Sequence, residues 1–149
     1  PFMYRRIILA YDGSSSGQKA LLGMKDLGQW EQAKITLVAV MPVAEMEVGA
    51  VEMGYLGHVS TPALENELRA ILKEGVQTLT TLGFVADGAL LKDETIGAIT
   101  SYAREQQADL IVVGHKHEKS LLRRWWSGST AKSLVEESPC NVLVMVSSD

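Results

Sequence analysis

The stretch from Ala108 to Thr130 constrains the fold of this chain most, because it predicts a strand, a loop and a helix in succession. Its first part is Leu110 to Val113, an unbroken and mostly β-branched run with Asp109 before it and Gly114 after it. Strands that helices cover on both faces of a parallel sheet have this composition. We therefore predict a buried parallel strand here, with Gly114 turning the backbone at its carboxyl end.

Four other apolar runs have the length of strands, and segments with helical signals alternate with them. The predicted strands are Arg6–Tyr11, Ile35–Met41, Phe84–Leu91 and Asn141–Val146. Helices are predicted after Ser14–Ser16, from Thr61-Pro62 to Gly83, from Asp93-Glu94-Thr95 and from Gly128. Asp87 and Gly88 are expected to break the third strand. This alternation predicts a three-layer, Rossmann-like α/β fold, with a five-stranded parallel sheet and helices on both faces.

The strand order decides where a ligand can bind. Five strands of this kind are compatible with the orders 3-2-1-4-5 and 2-1-3-4-5. We favour 3-2-1-4-5, because it places the reversal of the sheet between strands one and four. Ligands bind outside the carboxyl ends of strands at such a reversal. Those two ends carry Asp12-Gly13 and Gly114, which predicts one shared site.

Composition narrows the class of protein. The 149 residues, 46% of them hydrophobic, suit a single domain spanning residues 1–149. A net charge of −4 argues against nucleic acid and anionic membranes as partners. The single cysteine, Cys140, fits a reducing compartment. The longest nearly apolar run, Ile35 to Ala44, is too short to cross a bilayer. We therefore expect a cytoplasmic protein. The segment from Val43 to Ser60 lacks a clean period and is typical of a lid or a disordered loop.

A phosphate-sized anion is the ligand that the sequence suggests. Gly128-Ser129-Thr130 begins the last helix, and free N–H groups at a helix start, together with a glycine at a strand end, can surround a phosphate. The intervening loop is basic, which allows either an anion clamp or an ordinary solvated surface. The loop cations are Lys116, Lys119, Arg123 and Arg124.

Three segments resemble the universal stress protein family. They are Ile7 to Ser14, Ala108 to Gly114, and Gly128-Ser129 continuing through Ser138-Pro139-Cys140-Asn141 to Val144. The resemblance implies an adenine-nucleotide alpha-hydrolase-like fold of order 3-2-1-4-5 and a homodimer. In one subgroup it also implies ATP or another adenine nucleotide, held without obvious catalysis.

The family's nucleotide motif is Gly, two residues, Gly, nine residues, then Gly-Ser or Gly-Thr. Gly114 and Gly128-Ser129 match it, but His117 stands at the second glycine, and ten residues, Glu118 to Ser127, precede Gly128. We therefore expect a degenerate site that requires no cofactor and binds ATP or another adenine nucleotide weakly. The residues assigned to it are Tyr11, Asp12, Gly13, Val40, Gly114, His117, Gly128, Ser129 and Thr130.

The sequence gives weaker support to a hydrolase site or a metal site. Gly13-Ser14-Ser15-Ser16-Gly17 matches the nucleophile elbow of serine hydrolases, but no earlier strand is present to supply their oxyanion loop, so we do not expect an enzyme acting through Ser15. His115 and His117 are too few for a closed metal site.

The alternative to nucleotide binding is an interaction module. In either case we expect a homodimer through Asn141–Val146, an uncharged run predicted at a sheet edge.

Overall fold

The computed structural model describes residues 4–11, 13, 15–26, 33–41, 61–116 and 128–147. Within these residues the chain forms a parallel sheet in the order β3-β2-β1-β4-β5. The strands are β1 (Arg6–Ala10), β2 (Lys34–Met41), β3 (Val85–Lys92), β4 (Leu110–Lys116) and β5 (Asn141–Ser147). The predicted fold class and the predicted order 3-2-1-4-5 are therefore confirmed.

Side chains alternate between the two faces of the sheet, and each face carries its own helices. The helices are α1 (Ser15–Gly23), which a 3-10 turn at Met24–Asp26 continues, α2 (Thr61–Thr81), α3 (Thr95–Glu105) and α4 (Gly128–Glu137). Ile7 and Leu9 pack with α1 and α2, whereas Ile8 and Ala10 pack with α3 and α4. The middle of the sheet is apolar at successive positions because both of its faces are buried.

Two sequence predictions about strand breaks are wrong. Gly114 does not turn the chain, because β4 continues to Lys116 and Gly114 pairs with Met145 of β5. Asp87 and Gly88 do not interrupt β3 either. The Asp87 carboxylate accepts a hydrogen bond from the Thr36 hydroxyl at 2.6 Å and pairs with Lys34 Nζ at 3.0 Å, while Gly88 stays in register with Leu37. In both cases a neighbouring strand supplies partners that keep the backbone extended.

The carboxylate of Asp109 fixes β1 beside β4. Its two oxygens accept hydrogen bonds from the backbone N–H groups of Arg5 at 2.9 Å and Arg6 at 3.1 Å. The Asp109 N–H in turn donates to the Arg6 carbonyl at 3.0 Å. These contacts set the register that begins with Ile7 opposite Leu110 and ends with Ala10 opposite Val113.

Some predictions lie outside the described residues. These include the segment from Val43 to Ser60 and most of the basic loop after β4. Among the helices of the described ranges, none is long and apolar enough to cross a membrane.

Candidate functional site

The carboxyl ends of β1 and β4 lie side by side at the reversal of the sheet. The chain leaves β1 toward α1 on one face, and it leaves β4 toward α4 on the other face. Connections that diverge in this way open a crevice at the ends of the two strands. Ala10 pairs with both Val38 and Val113, so Tyr11 and Gly114 each lie one residue beyond the same row. The structure thus brings these two predicted site residues together.

The backbone of Tyr11 lies at the candidate site, whereas its side chain lies in the core. Its N–H donates to the Val38 carbonyl at 2.8 Å, which extends the pairing of β1 with β2. Its side chain is only 1% exposed and packs in the core beneath α1 and α2. The ring lies against Gly75 of α2, where an added β-carbon would be 2.9 Å from Cε2 of Tyr11. Any contact of Tyr11 with a ligand therefore falls to its backbone.

Gly13 shapes the turn that follows β1. Its φ of +79° is in the left-handed region, which side chains other than glycine rarely adopt. A β-carbon here would also lie 3.0 Å from Cγ2 of Ile71. The glycine therefore lets α2 approach the mouth of the crevice closely. Asp12, which precedes it, lies outside the described residues.

Val40 lies near the carboxyl end of β2, on the face that α3 and α4 cover. It is 6% exposed, pairs with Leu91 of β3 and packs in the same core as Ile96 and Leu134. Val40 thus lies two residues beyond Val38, which pairs with Ala10. It is placed to form an apolar wall beside the crevice.

The helix α4 begins at Gly128, as the sequence predicts. Its far end, at Glu137, leads directly into the start of β5, so Gly128 lies toward the ends of the strands where β4 finishes. The first N–H groups of a helix have no partner within the helix and are available to an anion. Gly128, Ser129 and Thr130 supply those groups, while His117 lies outside the described residues.

Thr95 is a buried polar residue that the sequence reasoning treated only as part of a helix start. It is the first residue of α3, is 4% exposed, and its hydroxyl has no hydrogen-bond partner within the described part of the chain. The hydroxyl of Thr100, which is 5% exposed, donates to the Ile96 carbonyl at 2.9 Å. No sequence signal distinguishes these two threonines, because the difference depends on what surrounds each hydroxyl.

Other chemical groups lie away from this crevice. Across the described ranges no three His, Cys, Asp or Glu side chains are grouped as metal ligands. Cys140 lies before β5, where burial raises the pKa of its thiol and disfavours a reactive thiolate. A cavity of about 320 Å³ between α2 and β3 is lined by Arg69, Lys73 and Gly88, among others, and contains none of the predicted site residues.

Comparison with known proteins gives matches over almost the whole chain. The model of the Universal stress protein family matches residues 3–146. A Thermus aquaticus protein named "Universal stress protein in QAH/OAS sulfhydrylase 3'region" is 30% identical over 146 residues, which is 96% of this chain and 99% of that protein.

Two solved structures that share the fold are complexes with a nucleotide. One is a universal stress protein in complex with cAMP, with a TM-score of 0.63 and 19% identity, covering 97% of this chain and 98% of that one. The other is an Arabidopsis thaliana universal stress protein family protein with AMP bound, with a TM-score of 0.64 and 14% identity, covering 95% and 91%. At these identities the likeness shows the fold.

Proposed function

This chain belongs to the universal stress protein family, and from that premise we propose that it is a stress-response module that binds an adenine nucleotide weakly and does not turn it over. The placement of the assigned residues at one end of the sheet carries the proposal. The pairing of β1 with β4 sets Tyr11 beside Gly114, and Gly128 begins the helix that follows β4. A cytoplasmic location is part of the proposal, in keeping with the single, half-buried Cys140.

Adenosine with a phosphate matches the spacing of the strands that carry the assigned residues. Gly114 lies on β4 and Val40 on β2, with β1 between them. Neighbouring strands are about 4.8 Å apart, so the two positions are separated by about 10 Å across the strands. A nucleoside monophosphate can span that width, with its phosphate near the start of α4 and its base beside Val40. The relatives with cAMP and AMP support this class of ligand.

Weak binding follows from two departures in the glycine motif. His117 places a β-carbon and an imidazole where the family motif has glycine, and one extra residue precedes Gly128. Both changes keep backbone N–H groups away from the phosphates. Each charge-assisted hydrogen bond that is lost costs about 1.5–3 kcal/mol. Two or three such losses weaken binding by a factor of tens to thousands.

Absence of turnover is the part of the proposal that rests on the family resemblance. The Tyr11 phenol is buried in the core rather than facing the crevice. The assigned residues that carry an acid or a base, Asp12 and His117, lie outside the described residues. An assay for hydrolysis therefore decides this part of the proposal.

The nucleotide content of the purified protein tests the proposal. We expect mass spectrometry of the denatured, freshly purified protein to detect less than one nucleotide per chain. Calorimetry with AMP and with ATP should show weak binding that salt weakens further, since it depends on charge. Neither nucleotide should be hydrolysed. ATP carried through purification in an equimolar amount would contradict the argument from the altered motif.

A homodimer through β5 is the second part of the proposal. β5 lies at an edge of the sheet, as predicted. Its Val142, Leu143, Val144 and Met145 side chains are half-buried, and the strand carries no charge that would discourage pairing. A second copy of this chain would cover the strand, which is also what the family resemblance implies.

Substituting lysine at Val144 tests this dimer. If the half-buried side chain of Val144 faces the second copy, we expect Val144→Lys to raise the dissociation constant of the dimer by about tenfold or more, because a charge would enter an apolar interface. Val85→Lys is the matched control, since Val85 is a 61% exposed valine on the opposite edge strand. Sedimentation would measure both variants, after thermal unfolding has shown that each is folded. A wild-type monomer at high concentration would refute the dimer.

A further inference from the structure

We infer that the hydroxyl of Thr95 hydrogen-bonds to the base of the bound nucleotide. The inference rests on the proposed nucleotide site. It starts from an observation about the protein without ligand: Thr95 is 4% exposed, and its Oγ1 finds no hydrogen-bond partner in the described part of the chain.

A buried hydroxyl without a partner destabilises a protein, so its presence calls for a reason. The usual partners near a helix start are already engaged elsewhere. Glu94 uses its carboxylate to accept from the N–H groups of Ile96 at 3.0 Å and Gly97 at 2.7 Å. Thr100 shows that this helix can satisfy a buried hydroxyl, because its Oγ1 reaches the Ile96 carbonyl. The unpaired hydroxyl is therefore particular to position 95.

Thr95 lies at the same end of the sheet as the crevice and on the same face as Val40. Met41 pairs with Lys92 at the carboxyl ends of β2 and β3, and α3 begins three residues after Lys92. Ile96, the next residue, packs in one core with Val40 and Leu91. The start of α3 therefore lies against the Val40–Leu91 pair.

The side of α3 that carries Thr95 faces β2 and β3. Tyr102 is two turns further along on this side. Burial raises the pKa of Tyr102, and so does the nearby charge of Asp87 in β3. Thr95 therefore lies over the ends of β2 and β3, where the proposed site places the base.

The chemistry of a hydroxyl suits adenine. It can donate to a ring nitrogen and accept from an amino group, and adenine presents both on one edge. In a pocket walled by apolar side chains, a few polar groups fix the orientation of the ligand and give specificity. Thr95 would be such a group, whereas the phosphate is left to Gly114 and the start of α4.

Removing the hydroxyl while keeping the shape of the side chain tests this role. The probes are AMP and ribose 5-phosphate, which shares the sugar and phosphate but lacks the base. We expect Thr95→Val to weaken AMP about two- to tenfold, the range for one neutral hydrogen bond, and to leave ribose 5-phosphate unchanged. Thr95→Ser should bind AMP like the wild type. Thr100→Val, the matched control, should also bind AMP normally.

Thermal unfolding without ligand gives an independent readout. Thr95→Val should melt at or above the wild-type temperature because it loses no bond, whereas Thr100→Val should melt lower. A Thr95→Val melting temperature reduced as much as that of Thr100→Val would overturn the inference. So would wild-type affinity of Thr95→Val for AMP, although the proposed function would then stand. Failure of the wild type to bind AMP at millimolar concentration would contradict both the inference about Thr95 and the proposed function.

Discussion

Replacing Tyr11 with alanine is expected to lower the free energy of unfolding by about 3–5 kcal/mol, the range for removing a large buried aromatic ring. The ring is 1% exposed and packs between the sheet and α2, so its loss leaves a cavity that rigid neighbours cannot fill. Urea unfolding of Tyr11→Ala and Tyr11→Phe would measure the effect. Tyr11→Phe keeps the ring and should lose much less.

Substitution of Gly75 tests the contact between the Tyr11 ring and α2 more directly. In the wild type, Gly75→Ala should be destabilising, because its β-carbon would lie 2.9 Å from the Tyr11 ring. With the ring removed, the same change should cost less than in the wild type, since the helix preference of alanine over glycine, about 1 kcal/mol, is then opposed only by Cδ1 of Leu37 at 3.1 Å and of Leu21 at 3.3 Å. Additive effects of Tyr11→Ala and Gly75→Ala would show that the two residues do not contact each other.

Restoring the glycine motif is expected to tighten adenine-nucleotide binding by a factor of tens to thousands. The variant combines His117→Gly with removal of one residue between Glu118 and Ser127, which returns the spacing to that of the family motif. Backbone N–H groups could then approach the phosphates, each contributing about 1.5–3 kcal/mol. Calorimetry with ATP would compare this variant with the wild type.

The matched control for the motif is His117→Ala with the same deletion. Alanine removes the imidazole but keeps a β-carbon, so it should recover only part of the affinity if close backbone approach is what matters. Equal affinity of the glycine variant and the wild type would show that the departures at residues 117–127 are not what weakens the site.

The order of the strands could be predicted from the sequence because few orders suit five parallel strands, and Asp12-Gly13 and Gly114 favoured one of them. The carboxyl end of β4 could not be predicted. The sequence around Gly114 signals a turn, and only the pairing of Gly114 to Lys116 with Met145 to Ser147 of β5 keeps it extended. Asp87 was misjudged for a similar reason, since Thr36 and Lys34 on the neighbouring strand satisfy its carboxylate.

The positions of Tyr11, Gly13, Val40 and Gly114 at one end of the sheet followed from the strand order. The direction of the Tyr11 side chain did not. Alternation puts Tyr11 on the same face as Ile7 and Leu9, but the sequence does not say that α2 offers a glycine there. Thr95 was beyond prediction because a missing hydrogen-bond partner is a property of the surroundings in three dimensions.

The central position of β1 also governs when the sheet can be completed during synthesis. β1 lies between β2 and β4, and the contact of Arg5 with Asp109 joins residues 104 positions apart. On the ribosome, β1 to β3 emerge while one side of β1 is still bare, because β4 is made later. Pairings this distant form slowly, and a bare strand invites pairing with other chains. The nascent chain therefore exposes a bare edge of β1 until Leu110–Lys116 has emerged.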